Sequence, residues 1–251
     1  MEHLLGYEVI DSSLDDCVEQ ILEHVAARRR SGTLACLNPH SYAVARGDTA
    51  FAAALRQATW LVPDGAGVVL ASRLLGGGIR QRIAGPDVFM RLHERLDAIG
   101  GVRVFFLGAS EDTLSRIRAR MALEHPRIVV AGALSPPVRE QFSDDENAAM
   151  VGAVNCAAPD VLWVAMTAPK QEKWLHAHRE FITAPFAGAV GAVFDFYVGK
   201  VQRSSPWFRR LGLEWLPRLL REPRRLWRRT FVSAPVFLLD VLSECWRSAR
   251  R

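Results

Sequence analysis

Short apolar runs alternate with longer helix-like stretches along most of the chain, and this alternation constrains the fold more than any other feature. We predict buried strands at 33–37, 58–62, 102–108, 127–132 and 160–166, and helices that include 48–57, 87–99 and 111–124. Because parallel strands need a crossover connection, the pattern predicts an α/β protein. Its sheet should be mostly parallel and covered by helices on both faces.

The charge of the chain is concentrated at one end. Residues 201–251 contain 12 arginines against 4 acidic residues, whereas the preceding part contains 20 basic and 23 acidic residues. A length of 251 residues suits one large α/β body with an appendage. We therefore divide the chain into a body, 1–200, and an Arg/Trp-rich helical appendage, 201–251.

Three features of the sequence bear on its cellular location. The chain begins with acidic residues where a signal peptide needs a basic region, and no apolar run approaches the ~20 residues that span a bilayer. The cysteines are scattered, as suits a reducing compartment, and lie at Cys17, Cys36, Cys156 and Cys245. We expect a cytoplasmic protein, peripheral on the inner face of the cell membrane if it meets a membrane.

Ligands of such folds bind beyond the carboxyl ends of the strands, so the loops that follow the strands are where a site should lie. These loops are 38–41 (NPHS), 63–67 (PDGAG), 108–112 (GASED), 167–172 (TAPKQE) and 188–196 (GAVGAVFDF). The sequence lacks G-x-G-x-x-G, the P-loop pattern, G-x-S-x-G, D-x-D and any histidine spacing that would hold a metal ion. We therefore predict neither a metal site nor a cofactor.

Three loop residues have a structural and a functional interpretation. Asn38, followed by Pro39, is typical of a helix start, but it also stands at a strand end. Asp64 fits a turn or an N-cap, or a carboxylate that takes a proton from a hydroxyl group. Arg82 fits an ordinary surface arginine or an anion clamp.

Two more candidates, Gln171 and Asp195, follow later strands. Gln171 belongs to Lys170-Gln171-Glu172, after Ala168-Pro169, which fits the solvated first turn of a helix. Asp195 stands among aromatic residues, so it needs a partner if it is buried, or else it binds a ligand.

The appendage contains the stretch 210–231, RLGLEWLPRLLREPRRLWRRTF. Its leucines and tryptophans recur at helical intervals, beside a second stripe of arginines at Arg218, Arg221, Arg225 and Arg228. Such a segment can grip a nucleic acid, lie on a membrane or supply positive charge to an active site. The stripe alone leaves these three alternatives open.

Seven stretches together are similar to one family. They are LNPHS, VPDGAGVV, RIAGPD, FFLGAS, APKQEKW, GAVGAVFDFYVGKVQRS and LGLEWLPRLLREPRRLWRR. Over nearly its whole length the chain resembles the WecG/TagA/CpsF glycosyltransferase family. The resemblance implies a Rossmann-like body with a C-terminal appendage. It also implies transfer of a sugar from a UDP-sugar to a polyprenyl-diphosphate-linked saccharide at the cytoplasmic membrane face, in the synthesis of cell-surface polysaccharides.

The resemblance also implies roles for individual residues. Asp64 falls on the proposed catalytic base, and Asn38 and Arg82 fall on the sugar or acceptor pocket. The positions that match the nucleotide-binding side of the family's pocket are Gln171, Asp195 and Gly108. The positions that match arginines thought to reach the diphosphate are Arg218, Arg225 and Arg228. Cys36 occupies a substrate-binding position where family members that use N-acetylmannosamine donors have threonine. Because a thiol donates hydrogen bonds more weakly than a hydroxyl group, the donor stays open among UDP-glucose, UDP-N-acetylmannosamine and its uronic acid.

A mechanism follows from these expectations. Asp64 would deprotonate the acceptor, and arginines would stabilise the leaving diphosphate in place of a metal ion, so we expect an inverting, metal-independent transfer. The competing interpretation is a nucleic-acid-binding α/β protein. It is disfavoured because the net positive charge is confined to the end of the chain, so we expect no nucleic-acid partner. The apolar residues near Trp207 and Trp215 allow a homo-oligomer.

Overall fold

The computed structural model describes residues 1–30, 32–201 and 229–248, and its centre is a parallel sheet of six strands. These strands are β3 (Gly32–Leu37), β4 (Trp60–Pro63), β5 (Arg103–Gly108), β6 (Val129–Leu134), β7 (Val161–Ala165) and β8 (Phe186–Ala189). Their order across the sheet is β4-β3-β8-β7-β5-β6, and every pairing is parallel. An antiparallel hairpin of β1 (Glu2–Leu4) and β2 (Tyr7–Val9) precedes the sheet.

Helices connect the strands. They are α1 (Leu14–Ala26), α2 (Pro39–Ala45), α3 (Thr49–Arg56), α4 (Ala66–Leu74), α5 (Gly85–Ile99), α6 (Glu111–Glu124), α7 (Asp144–Cys156), α8 (Lys170–His178) and α9 (Val193–Tyr197). A π-helical turn (Arg229–Ser233) leads into α10 (Ala234–Ser248). Apolar residues of β3, β5, β7 and β8 enter core clusters on both faces of the sheet, as the strand pattern predicted.

The predicted α/β class and the five predicted strands are confirmed, with two corrections. The stretch 188–196 is not simply a loop, because its first two residues end β8 and Val193–Tyr197 form α9. The strand β8 is short and consists of Phe, Ala, Gly and Ala, so its apolar signal is weak. The strand β6 was expected to be buried, but it lies at the sheet edge and most of it is half-buried.

Part of the appendage packs on the body. Phe237 and Val241 of α10 are buried in one core cluster with residues of the hairpin, α2 and α3. The Tyr42 hydroxyl donates to the Asp240 carboxylate at 2.8 Å, and Arg46 forms an ion pair with the same carboxylate at 3.2 Å. Burial and the Asp240 carboxylate raise the pKa of Tyr42, so the phenol keeps the proton that it donates. Apolar packing and polar contacts therefore both hold α10 against α2.

Among the described residues, no helix is long and apolar enough to cross a bilayer.

A histidine lies in the centre of the body. His93 of α5 is fully buried, and its Nε2 accepts a hydrogen bond from the Trp163 indole N–H at 3.2 Å. Its Nδ1 has no hydrogen-bond partner among the described residues. Burial, with a smaller contribution from His125, lowers the pKa of His93 to about 3. The native protein therefore holds this imidazole neutral.

We expect His93 to make the protein less stable in mild acid. The unfolded chain binds a proton on this imidazole below the ordinary pKa of about 6.5, and the native state does not. The free energy of unfolding should therefore fall from about pH 6.5 towards pH 3, by about 2 kcal/mol between pH 7 and pH 5 from this group. Urea unfolding at both pH values measures the loss.

His93→Gln keeps an acceptor for Trp163 but does not titrate, so its loss of stability between pH 7 and pH 5 should be smaller by that amount. An equal loss in wild-type and His93→Gln protein would contradict the assignment.

Candidate active site

The carboxyl ends of β3, β4, β7 and β8 meet at one edge of the sheet, because these strands are parallel and β3 adjoins both β4 and β8. Most of the candidate residues follow these strands directly. The helices that follow β3 and β4 (α2, α3 and α4) pack on one face of the sheet, whereas α9, which follows β8, packs on the other face. This is the place where open α/β sheets bind their ligands.

Asn38 contacts Asp64 at this edge. The Asn38 side-chain oxygen caps α2, accepting from the backbone N–H groups of His40 at 3.0 Å and Ser41 at 2.9 Å. The capping bonds fix the orientation of the amide, so its nitrogen is the end left over. That nitrogen donates to the Asp64 carboxylate at 3.3 Å. The hydrogen bonds that cap α2 therefore also hold the Asn38 nitrogen against Asp64, the candidate base.

Asp64 does not cap a helix. The N-cap of α4 is Gly65, which makes no side-chain capping bond, so the N-cap interpretation of Asp64 was wrong. The Asp64 backbone N–H donates to the Leu37 carbonyl at 2.8 Å, which continues the β3–β4 pairing one step past the strands. The side chain is held half-buried at the tip of β4. A carboxylate that is placed in this way can receive a proton from a bound hydroxyl group.

Arg82 is anchored to the same strand end. The backbone N–H of its neighbour Ile83 donates to the Pro63 carbonyl at 2.8 Å. Since Asp64 follows Pro63, the segment that carries Arg82 runs beside the candidate base. The Arg82 side chain is half-buried.

Cys36, two residues before Asn38, lies at the meeting point of β3, α5 and the β8–α9 loop. A Cβ atom added to Gly85 would be 3.4 Å from the Cys36 sulfur, 3.8 Å from the Val193 side chain and 3.9 Å from the Val190 carbonyl. Burial, and after it the Asp64 carboxylate, raises the pKa of the Cys36 thiol well above its usual value. Cys36 therefore presents a neutral S–H group near Asp64, and not a thiolate.

Gln171 joins the ends of β7 and β8. Its side-chain oxygen accepts from the backbone N–H groups of Met166 at 3.2 Å and Gly191 at 2.9 Å, and its side-chain nitrogen donates to Glu172 at 2.9 Å. Gln171 and Glu172 are both buried, so the expectation of a solvated helical turn was wrong for these two residues. Because β7 and β8 are neighbours, the turn faces the protein interior and not the solvent.

Asp195 has the partner that its apolar neighbours required. Its carboxylate accepts from the Thr113 hydroxyl at 3.3 Å, and the Lys200 ammonium group donates to the same hydroxyl at 3.1 Å. The ammonium group also lies 3.5 Å from the Asp112 carboxylate. This group of side chains gathers at the N-terminus of α6, directly after β5.

Gly108 ends β5 beside that helix. Its φ of 117° and the position of a Cβ atom 2.3 Å from the Ala165 carbonyl leave no room for a side chain. The turn after β5 therefore lies close against β7. This close approach is a structural reason for the glycine.

Three supporting residues of the site were not predicted from the sequence. Thr113, Glu172 and Lys200 lie within or next to quoted stretches, but nothing in their spacing indicated contacts with Gln171 or Asp195. Burial of polar side chains in α8 and α9 would have indicated these contacts, but that burial follows from the order of the strands, which the sequence does not show. Arg218, Arg225 and Arg228 lie outside the described residues, as do Trp207 and Trp215.

Within the described ranges, no group of three His, Cys, Asp or Glu side chains could hold a metal ion. The polar groups instead form two sets on one edge. The first set surrounds Asp64 and can accept a proton. The second set comprises Gln171 with Glu172, and Asp195 with Thr113 and Lys200, and offers amide, hydroxyl and carboxylate groups for hydrogen bonds to a polar ligand.

Comparison with known proteins assigns the family. The chain is 31% identical to the N-acetylglucosaminyldiphosphoundecaprenol N-acetyl-beta-D-mannosaminyltransferase of Bacillus spizizenii over 243 residues, 97% of this chain and 91% of that protein. It is also 31% identical to the Bacillus subtilis protein of the same name, over 94% of this chain and 88% of that protein. A Staphylococcus aureus protein of that name is 26% identical, over 95% of this chain and 91% of that protein. The model of the glycosyl transferase WecG/TagA/CpsF family matches residues 2–251, so the chain is a glycosyltransferase that belongs to this family.

Proposed function

We propose that this enzyme transfers a sugar from a UDP-sugar to a polyprenyl-diphosphate-linked saccharide in the synthesis of a cell-surface polysaccharide. The observation that carries the proposal is the hydrogen-bonded pair of Asn38 and Asp64 at the carboxyl edge of the sheet of a family member. The named relatives act on N-acetylglucosaminyldiphosphoundecaprenol, which supports an acceptor of the same chemical class.

Asp64 is the general base of the proposed reaction. It takes the proton of the acceptor hydroxyl group as the oxygen attacks the anomeric carbon, and the bond from that carbon to the diphosphate breaks. A single displacement inverts the configuration at the anomeric carbon. Asn38 holds the carboxylate by its side-chain nitrogen, and its two capping bonds to α2 keep that nitrogen in position.

The donor end lies on the Gln171–Asp195 side of the edge, in the arrangement that the family resemblance implies. The relatives are named as N-acetylmannosaminyltransferases, which favours UDP-N-acetylmannosamine as donor. Cys36, with its neutral thiol near Asp64, is the observation that keeps UDP-glucose and the uronic acid as alternatives.

The arginines of residues 202–228 stabilise the leaving diphosphate in this proposal. The backbone N–H of Val201 donates to the Asp195 carbonyl at 3.2 Å, so the segment starts beside Asp195. The π-helical turn that begins at Arg229 packs on α2, where Ser233 contacts the His40 ring at 2.9 Å. Both ends of the arginine-rich segment therefore join the body near the candidate site.

The appendage also binds the membrane in this proposal. The face of α10 opposite Phe237 and Val241 is apolar and exposed, and α4 adds two more exposed leucines. The members of this exposed surface are Leu70, Leu74, Leu238, Leu239, Leu242 and Trp246. A lipid acceptor requires the enzyme to work at a bilayer, and arginines near an anionic leaflet contribute about 1 kcal/mol each. Self-association through the same surface is the alternative, and it would appear as a dimer without lipid.

We expect catalysis to be independent of divalent metal ions, because the sequence has no D-x-D motif and arginines can take the role of the metal ion. The test measures UDP release from each of the three UDP-sugars, with a polyprenyl-diphosphate-linked N-acetylglucosamine acceptor in detergent. We expect UDP release with one of the three donors, and this release should persist in EDTA. Activity that EDTA abolishes and magnesium restores would contradict the metal-independent mechanism, and no release with any donor would contradict the proposed function.

A further inference from the structure

Glu172 is a buried acid to which the proposed reaction assigns no role. Its side chain is only 6% exposed. One carboxyl oxygen accepts from the Gln171 side chain at 2.9 Å, and the other has no hydrogen-bond partner among the described residues. Burial raises the pKa of the Glu172 carboxyl group. A buried acid with an unpaired oxygen destabilises a fold, so its presence calls for another explanation.

The contact with Gln171 supplies that explanation. The backbone N–H groups of Met166 and Gly191 fix the Gln171 oxygen, and the contact with Glu172 adds a restraint on the nitrogen at the other end of the same planar amide. An amide nitrogen carries two N–H groups, and Glu172 takes one of them. The second N–H is thereby held at a fixed angle, where it can donate to a ligand.

The same contact reaches Asp195 through the backbone. Gly191 lies in the turn between β8 and α9, and Asp195 is four residues further along the chain. The bond from Gly191 to Gln171 holds this turn against β7. Glu172 therefore supports Gln171 directly and Asp195 indirectly, and the proposed function assigns both of these residues to the nucleotide.

We propose that Glu172 is a positioning residue for donor binding, which acts by fixing the Gln171 amide and, through Gly191, the turn that carries Asp195. This inference rests on the proposed function, since it takes the Gln171–Asp195 side as the nucleotide side. It predicts that removal of the carboxyl group weakens donor binding while fold stability changes little.

The decisive variant is Glu172→Met, which keeps the volume and removes the hydrogen-bond acceptor. Glu172 lines a small cleft between α3 and α8, so the methionine has room. Thermal stability should change little, because the loss of an unpaired buried oxygen offsets the loss of the acceptor for the Gln171 amide. The Kd for UDP, measured by titration calorimetry, should rise about threefold to tenfold, the effect of one lost hydrogen bond. Exchange of the Gly191 amide proton, followed by NMR, should become faster.

Two matched variants separate positioning from general effects. Glu172→Gln keeps an acceptor for the Gln171 amide and should retain the wild-type Kd for UDP and the wild-type Gly191 exchange. Glu180→Gln removes an exposed acid just beyond the same helix and should change neither. Loss of affinity in Glu172→Gln equal to that in Glu172→Met would overturn the hydrogen-bond role.

The outcomes also distinguish this inference from the proposed function. Wild-type protein that binds no UDP sinks the proposed function, and with it the donor-binding half of the inference. The Gly191 exchange rate then still tests the positioning half. Glu172→Met protein with wild-type UDP affinity and wild-type exchange overturns the inference while the proposed function stands.

Discussion

Asp64→Asn is expected to reduce turnover by a factor of at least about 100, because general-base catalysis is worth about 10²–10⁴ in rate. Asparagine has the same shape as aspartate and can still accept the Asn38 hydrogen bond through its side-chain oxygen. It cannot take a proton at neutral pH. The variant should therefore keep the melting temperature and the Kd for UDP of the wild type while kcat falls. UDP release at saturating donor and acceptor measures the change.

A charge-matched control makes this prediction specific. Asp145→Asn removes one carboxylate from the exposed first turn of α7 and should leave kcat unchanged. If Asp64→Asn protein keeps more than about a tenth of the wild-type kcat, Asp64 is not the base. A fall in kcat accompanied by an equal loss of UDP binding would instead identify Asp64 as a donor-binding residue.

Local sequence rules predicted the parts of the fold that depend on neighbouring residues. The helix predicted at 111–124 has those bounds, because Ser110 caps its start and acidic residues fill its first turn. The start of α2 was predicted in the same way, from Asn38 and Pro39. Each of these features is fixed within one turn of chain, so one sequence is enough to predict it.

The contacts of the candidate site depend on the order of the strands, which no local pattern contains. Asp64 meets Asn38 across 26 residues of chain because β4 pairs with β3. Gln171 is buried because β8, a strand too short and too small in its side chains to be predicted, inserts between β3 and β7. The sequence could therefore name the loops of the site but not the hydrogen bonds between them. The resemblance to the family supplied the choice of residues.

The second large effect is expected from an arginine of the appendage. Arg225→Ala should lower kcat by about 10²–10³, because the proposed mechanism uses this cationic group to stabilise the charge that develops on the leaving diphosphate. The segment containing Arg225 joins the body at Val201, beside Asp195, and at Arg229, where the chain packs on α2. Binding to anionic liposomes should fall by no more than about fivefold, since one arginine near the leaflet contributes about 1 kcal/mol.

A point variant tests this idea more sharply than a deletion. Truncation after Lys200 should abolish both liposome binding and turnover, but it also removes Phe237 and Val241 from the core, so loss of folding would give the same result. Arg247→Ala is the matched control, because the hydrogen bond and the ion pair of this exposed side chain, among the described residues, are to Ser243 and Glu244 of the same helix. It should leave kcat unchanged and reduce liposome binding by no more than about fivefold. Arg225→Ala protein with wild-type kcat would return the arginine stripe to a purely membrane-binding role, and the leaving diphosphate would then need another source of positive charge.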